Sequence, residues 1–182
     1  MNNALKNCSL FLVGMMGAGK TTVGQELAKQ LNYRFFDTDT LIERVAGTDI
    51  PQLFATQGEE GFRQLETQVL AQLSAQLRSV ISTGGGMVLK PENWGYLRHG
   101  IVLWLDVPPE VLYDRLKTDQ TRPLLKTANP LETLQTLCDR RQDLYAQADL
   151  HLSLTGAESP EQVTNRVFAE LPRILKANSV HN

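Results

Sequence analysis

The 182-residue chain is 42% hydrophobic and 21% charged, the proportions of a globular protein with room for a real core. A formal net charge of −2 provides no overall field for nucleic acid or an anionic membrane, so any attraction for phosphate must come from a few local cations. The two cysteines, Cys8 and Cys138, make no metal-ligand spacing and no disulfide framework, and the three histidines, His99, His151 and His181, are scattered, which argues against a zinc site.

Met1-Asn2-Asn3-Ala4-Leu5-Lys6 lacks the charged-then-apolar layout of a signal peptide, and no apolar run could span a bilayer. A reducing cytoplasm is the expected compartment, and the small size points to a monomer. Cys8-Ser9-Leu10-Phe11-Leu12-Val13 reads as a buried strand, with Cys8 a small buried thiol. Gly14-Met15-Met16-Gly17-Ala18-Gly19-Lys20-Thr21 follows: a glycine, four residues, then Gly-Lys-Thr. Behind it Val23, Leu27 and Leu31 recur at the spacing of an amphipathic helix. Strand, glycine loop and helix in that order form a seat for nucleotide phosphates. Glycines permit positive φ angles and close backbone approach, and the helix N-terminus adds partial positive charge. Lys20 can reach the outer phosphates and the Thr21 hydroxyl can ligate Mg²⁺. The chain is expected to bind a nucleoside triphosphate.

Arg34-Phe35-Phe36-Asp37 is a short strand ending in an acid, followed by a helical segment from Thr40 to Ala46 that Gly47 stops. Asp37-Thr38-Asp39 sets two carboxylates two residues apart at a strand end, so one can face a Mg²⁺ shell while the other faces an acceptor hydroxyl. A polar helix cap, with Asp39 or Thr38 ahead of Leu41 and Glu43 behind, would look much the same. Pro51 opens a short helical turn through Phe54. Glu59 to Leu77 is the strongest helix, with Phe62, Leu65, Val69, Leu73 and Leu77 on one stripe. On it Glu66 lies three residues after Arg63, either fixing the guanidinium's orientation or making an ordinary surface ion pair.

Ser79-Val80-Ile81-Ser82 is a third strand, ended by Gly84-Gly85-Gly86, where backbone must closely approach something small. Pro91 to Leu97 is helical, and Ile101 to Leu105 is a fully apolar fourth strand. Asp106 after it imitates the Mg²⁺-binding acid of many phosphate-loop enzymes, but it leads straight into Val107-Pro108-Pro109 and reads as a strand-end or cap residue. Pro109 to Lys117 is a helix. Thr118 to Pro130 has little apolar periodicity and reads as a loop; with Arg115, Lys117, Arg122 and Lys126 it is either a solvated basic surface or a mobile lid over a triphosphate. Leu131 to Ala148 is helical and carries Arg140-Arg141, of which one can meet a substrate carboxylate and the other stay solvated. Leu150 to Leu154 is a fifth strand, Pro160 to Leu175 the last helix, and Ala177 to Asn182 a frayed tail. The alternation predicts one α/β domain over residues 1–182: a three-layer sandwich around a central five-stranded parallel sheet.

The ordered set Gly14 to Thr22, Asp37-Thr38-Asp39, Gly58-Glu59 with Phe62-Arg63, Gly84-Gly85-Gly86, Arg122-Pro123-Leu124-Leu125 and Arg141 with Leu144-Tyr145 resembles the shikimate kinases, across roughly residues 8–175. The resemblance implies a phosphate-loop fold of the nucleoside-monophosphate-kinase type with a lid at about 118–130 and a substrate-binding segment at about 38–66. It also implies ATP-dependent phosphorylation of the 3-hydroxyl of shikimate, on the route to chorismate and the aromatic amino acids, with one Mg²⁺. By that resemblance Gly17, Ala18, Gly19, Lys20, Thr21 and Thr22 hold the ATP phosphates. Thr21 ligates the metal directly and Asp37 does so through water. Asp39 binds the substrate hydroxyls and is the candidate base. Arg63, Arg141 and the triplet Gly84, Gly85 and Gly86 hold the substrate, Arg122 reaches the phosphates from the lid, and Arg115 and Pro160 sandwich the adenine. A substrate without a large apolar part matches the lack of an apolar specificity pocket in the sequence.

Overall fold

The computed structural model describes residues 5, 7–119, 125 and 127–178. Its elements are β1 (Leu10–Val13), α1 (Lys20–Leu31), β2 (Arg34–Asp37), α2 (Thr38–Ala46), α3 (Ile50–Ser74), β3 (Ser79–Ser82), α4 (Pro91–Leu97), β4 (Ile101–Asp106), α5 (Pro109–Leu116), α6 (Pro130–Tyr145), β5 (Leu150–Ser153) and α7 (Pro160–Asn178). A single 3₁₀ turn, Met87–Leu89, stands between β3 and α4. The strands form one parallel sheet in the order β2-β3-β1-β4-β5.

Handedness dictates the layers. The crossover from β1 to β2 runs one way along the sheet and the next three run the other way, so right-handed connections put α1 on one face and α2 to α6 on the other. α7 returns to pack on α1, while α3 packs on α4 and α5 on α6. Covered on both faces, β1 (LFLV) and most of β4 (IVLWL) are buried apolar runs rather than alternating ones. Because the strands are parallel, their carboxyl ends share one rim. The glycine loop, Asp37 and the glycine triplet all emerge there.

Several elements depart from the sequence expectation: β1 starts at Leu10 and leaves Cys8 half-buried ahead of it, and α6 stops at Tyr145 rather than Ala148. α2 begins at Thr38 because Asp37 caps it, accepting from the amides of Asp39 at 3.0 Å and Thr40 at 3.4 Å. The cap is therefore Asp37, not Thr38 or Asp39. The turn at Pro51 and the long helix expected from Glu59 run on as one kinked element, α3, with Gly58 at φ 70° and ψ −177°. α3 stops at Ser74, so Leu77 falls off the stripe and is 64% exposed. α7 continues through Asn178, so the tail expected from Ala177 starts later, and 179–182 lie outside the described residues. So does Arg122, with the rest of 120–124 and residue 126. No helix among the described residues is long and apolar enough to cross a membrane.

The Gly58 conformation lies in a region open essentially to glycine alone, although a Cβ there would meet no atom within 4 Å. Gly58→Ala is expected to destabilise by about 1–3 kcal/mol through backbone strain alone. Urea unfolding of the two proteins measures it, and an unchanged midpoint would contradict the kink.

Candidate active site

Two adjoining cavities open along the carboxyl rim of the sheet. The larger, about 460 Å³, is walled by the glycine loop from Met16 through Thr22, by Asp37 and by Arg115 and Pro160. Its floor is the N-terminus of α1, whose amides have no capping side chain. The Lys20 ammonium, buried, donates to the Gly14 and Met15 carbonyls at 2.8 Å each. Thr21 Oγ1 donates to Asp37 Oδ2 at 2.7 Å, and Ser82 Oγ is 3.4 Å away. This cluster of oxygens at the foot of the loop has the hard-donor chemistry that suits Mg²⁺. Asp37 thus has two tasks, one carboxylate oxygen capping α2 and the other facing Thr21.

The second cleft is smaller, about 70 Å³, and shares Met16, Asp39 and Gly85 with the first. The Asp37-Thr38-Asp39 turn explains the sharing. Thr38, fully buried, turns its hydroxyl inward to accept from the Gly84 amide at 2.9 Å, while Asp37 and Asp39 on either side line the cavities. The triplet is glycine for a steric reason. A Cβ on Gly84 would lie 2.7 Å from Glu66 Oε1 and 2.8 Å from Asp39 Oδ1, and one on Gly86 would overlap the Arg63 guanidinium.

Arg63 is no surface ion pair. It is buried, 2.5 Å from Glu66 Oε2 and 3.2 Å from Glu59 Oε1, beside the Phe62 ring. Burial opposes its charge, but Glu66 and Glu59 outweigh burial and raise its hold on the proton. Glu66 is fully buried; that burial, with Asp39 nearby, pushes its carboxyl up to about 7 against the pull of Arg63. Arg141, also buried, donates to the Gly85 carbonyl at 3.0 Å. Tyr145, one turn on, donates to the same oxygen at 2.6 Å, and burial pushes its hydroxyl up to about 12, so it serves as a neutral donor. Arg140 is exposed.

The structure therefore gathers Asp39, Arg63, Gly84, Gly85, Gly86 and Arg141 around one cleft, and the glycine loop, Asp37, Arg115 and Pro160 around the other. Asp106 borders neither; its carboxylate pairs with His151 Nε2 at 2.8 Å on β5. One expectation needs correction: the second cleft does have an apolar wall, of Met16, Ile50, Phe54 and Phe62, the two rings 4.6 Å apart. Periodicity along a single helix does not show this wall, because the kink at Gly58 is what brings Phe54 over Phe62. Thr38 and Tyr145 were also missed as positioning groups. The one available signal was the four-residue spacing of Arg141 and Tyr145, which puts both on one face of α6.

Glu66 gives the site a pH signature. Its carboxyl titrates near 4.5 when unfolded and about 7 when folded, so the folded protein binds the extra proton in between. The stability tied to that proton is full below about 4.5 and is lost as pH rises through about 7. Glu66→Gln is expected to flatten the decline in unfolding free energy across this window by roughly 1 kcal/mol per pH unit. Parallel slopes in urea titrations of the two proteins would contradict the assignment.

Comparison with known proteins agrees with this geometry. A sequence model of the family described as shikimate kinase matches residues 16–172. The shikimate kinase of Synechococcus elongatus is 53% identical over 173 residues, 95% of this chain and 91% of that protein. The shikimate kinase of Microcystis aeruginosa is 51% identical over 174 residues, 96% and 92% of the two chains. A solved structure of shikimate kinase from Acinetobacter baumannii, in complex with shikimate, superposes with a TM-score of 0.88 at 37% identity, covering 92% of this chain and 95% of that one. A gluconokinase from Sinorhizobium meliloti shares the fold alone, with a TM-score of 0.58 at 16% identity. Motif order, the two joined clefts and similarity over nearly the whole length lead to one conclusion: this chain belongs to the shikimate kinase family.

Proposed function

We propose that this chain transfers the γ-phosphoryl group of ATP to the 3-hydroxyl of shikimate, giving shikimate 3-phosphate and ADP. The observation that carries the reading is the position of Asp39, which lines both cavities at their junction. A triphosphate in one and a hydroxylated acid in the other would meet at this carboxylate.

Each residue then has a role that its surroundings support. The amides from Gly17 to Thr22 cradle the phosphates, and Lys20 leaves the Gly14 and Met15 carbonyls for the outer phosphate oxygens. Thr21 directly and Asp37 through water would hold one Mg²⁺, which when bound neutralises phosphate charge. Arg115 and Pro160 flank the adenine. In the smaller cleft Arg63 and Arg141 bind the substrate carboxylate. The charge of Arg141 survives its contact with Gly85, because a carbonyl is a neutral acceptor. The glycine backbone and Asp39 fix the hydroxyls, and Asp39 accepts the proton of the attacking one. The lid expected at about 118–130 would bring Arg122 to the phosphates and exclude water. Positioning and charge stabilisation supply most of the catalysis that phosphoryl transfer requires. The reading includes a single domain and a cytoplasmic setting; the thiols of Cys8 and Cys138, both free, support a reducing compartment.

Two substitutions test it in an assay that couples ADP release to NADH oxidation, with shikimate, gluconate and nucleoside monophosphates as parallel acceptors. Shikimate is expected to be the acceptor turned over. Asp39→Asn should lower kcat by roughly 10²–10⁴ while ATP affinity holds, the usual scale for a lost general base. Wild-type turnover in that variant would remove Asp39 from the reaction. Arg141→Ala should act mainly on the KM for shikimate, raising it about tenfold or more, as expected for a lost charge-assisted contact; an unchanged KM would rule out the carboxylate clamp.

A further inference from the structure

We propose that Glu158 is the positioning residue of the nucleotide base seat: its carboxylate gathers the backbone amides of the loop between β5 and α7 and so sets the wall against which the base rests. The inference rests on ATP being the donor that fills the larger cavity, which Gly156, Glu158 and Pro160 line together with Arg115 and the glycine loop.

Between Ser153 and Pro160 the backbone belongs to neither the sheet nor a helix, so its amides need partners from elsewhere. The Leu154 amide donates to the Asp106 carbonyl and the Ala157 amide to Thr155 Oγ1, and Glu158 takes the two amides between them. Its Oε1 and Oε2 accept from the Thr155 amide at 3.0 and 3.1 Å, and Oε2 also accepts from the Gly156 amide at 2.9 Å. Those amides, Thr155 first, hold the carboxyl down at about 2, so it stays ionised at any working pH. Behind it Arg166 of α7 stands 3.6 Å from Oε1 and donates to the Ser153 carbonyl at 3.0 Å, tying the loop to the end of β5. Ser159 and Gln162 close the entry to α7 by bonding each other's amides, at 2.8 and 3.2 Å, which fixes Pro160.

With the loop held this way, the Gly156 carbonyl faces Arg115. Arg115 Nη2 donates to it at 3.1 Å, while Nη1 of the same guanidinium donates to the Gly17 carbonyl at 2.9 Å. One planar group therefore joins the base loop to the phosphate loop, and the spacing of the two seats depends on where Glu158 holds Gly156. Glu158 acts through the backbone and needs no contact with the nucleotide. An acid that only stabilised a surface loop would affect unfolding and leave nucleotide selectivity alone.

The test compares wild type, E158Q and E158A, with ATP varied at saturating shikimate, shikimate varied at saturating ATP, and inorganic tripolyphosphate as a competitor that lacks a base. Calorimetric titration of ATP into each protein accompanies the kinetics. The KM and Kd for ATP are expected to rise about tenfold in E158A, the scale of one charge-assisted hydrogen bond, and by less in E158Q, which keeps one acceptor oxygen. Inhibition by tripolyphosphate, kcat and the KM for shikimate should stay within about twofold, because the Glu158 carboxylate accepts from Thr155 and Gly156 and from no amide of the phosphate loop or the second cleft. Unchanged ATP affinity in both variants overturns the proposal. So does a loss shared equally by ATP and tripolyphosphate, a parallel shift in the KM for shikimate, or failure of both variants to fold. A wild-type protein that binds ATP but does not phosphorylate shikimate would defeat the proposed activity instead, and calorimetry would still decide the role of Glu158.

Discussion

Close approach of one backbone segment to four others organises this molecule. β3 runs out into Gly84-Gly85-Gly86, and the space their Cβ atoms would need is held by Asp39 and Glu66 at Gly84, by the Met16 amide at Gly85 and by Arg63 at Gly86. Hydrogen bonds lock the same segment: its first amide to Thr38, its middle carbonyl to Arg141 and Tyr145. The turn after β2, the long helix α3, the helix α6 and the phosphate loop are thereby referenced to one strand end. A single methyl group there would force apart groups whose relative placement is the purpose of the site.

The charges this packing buries have a cost. Arg63, Glu66 and Arg141 lose water, and a buried pair such as Arg63–Glu66 seldom repays its desolvation as net stability. What it provides here is orientation. Held by Glu66 on one side and Glu59 on the other, and lying beside Phe62, the guanidinium has little freedom left. Arg141 is held by neutral acceptors, Gly85 O and Met15 S, which fix its direction without cancelling its charge. The cleft offers an anion two preset cations and an apolar wall, a combination suited to a small carbocyclic acid.

Sheet order accounts for the acid that lines neither cleft. β3 and β4 flank β1 on opposite sides, so the end of only one of them can stand beside the phosphate loop next to Thr21. Ser82 of β3 occupies that place at 3.4 Å, leaving the carboxylate that accepts from Thr21 to come from β2 as Asp37. Asp106, at the end of β4, meets His151 across the β4–β5 pair instead. Arg115 does for the larger cavity what the triplet does for the smaller, linking two loops through one rigid group.

Local chemistry made much of this legible beforehand. Gly14 to Thr22 can be read because glycine dihedrals, a strand before and a helix after are all short-range properties. The apolar runs of β1 and β4 announce burial on both faces, and therefore a parallel sheet. The continuity of α3 through Gly58 was not legible, since a glycine that stops one helix and one that kinks another look alike until the packing of Phe54 on Phe62 decides between them. Nor was the burial of Arg63 with Glu66, because a three-residue spacing marks a surface pair and a buried one equally. The sequence by itself determined which groups exist and in what local geometry each can act, because propensity and spacing depend on near neighbours. Only the tertiary structure decided which of them share a cavity, because that depends on strand order and on contacts between residues far apart in the chain.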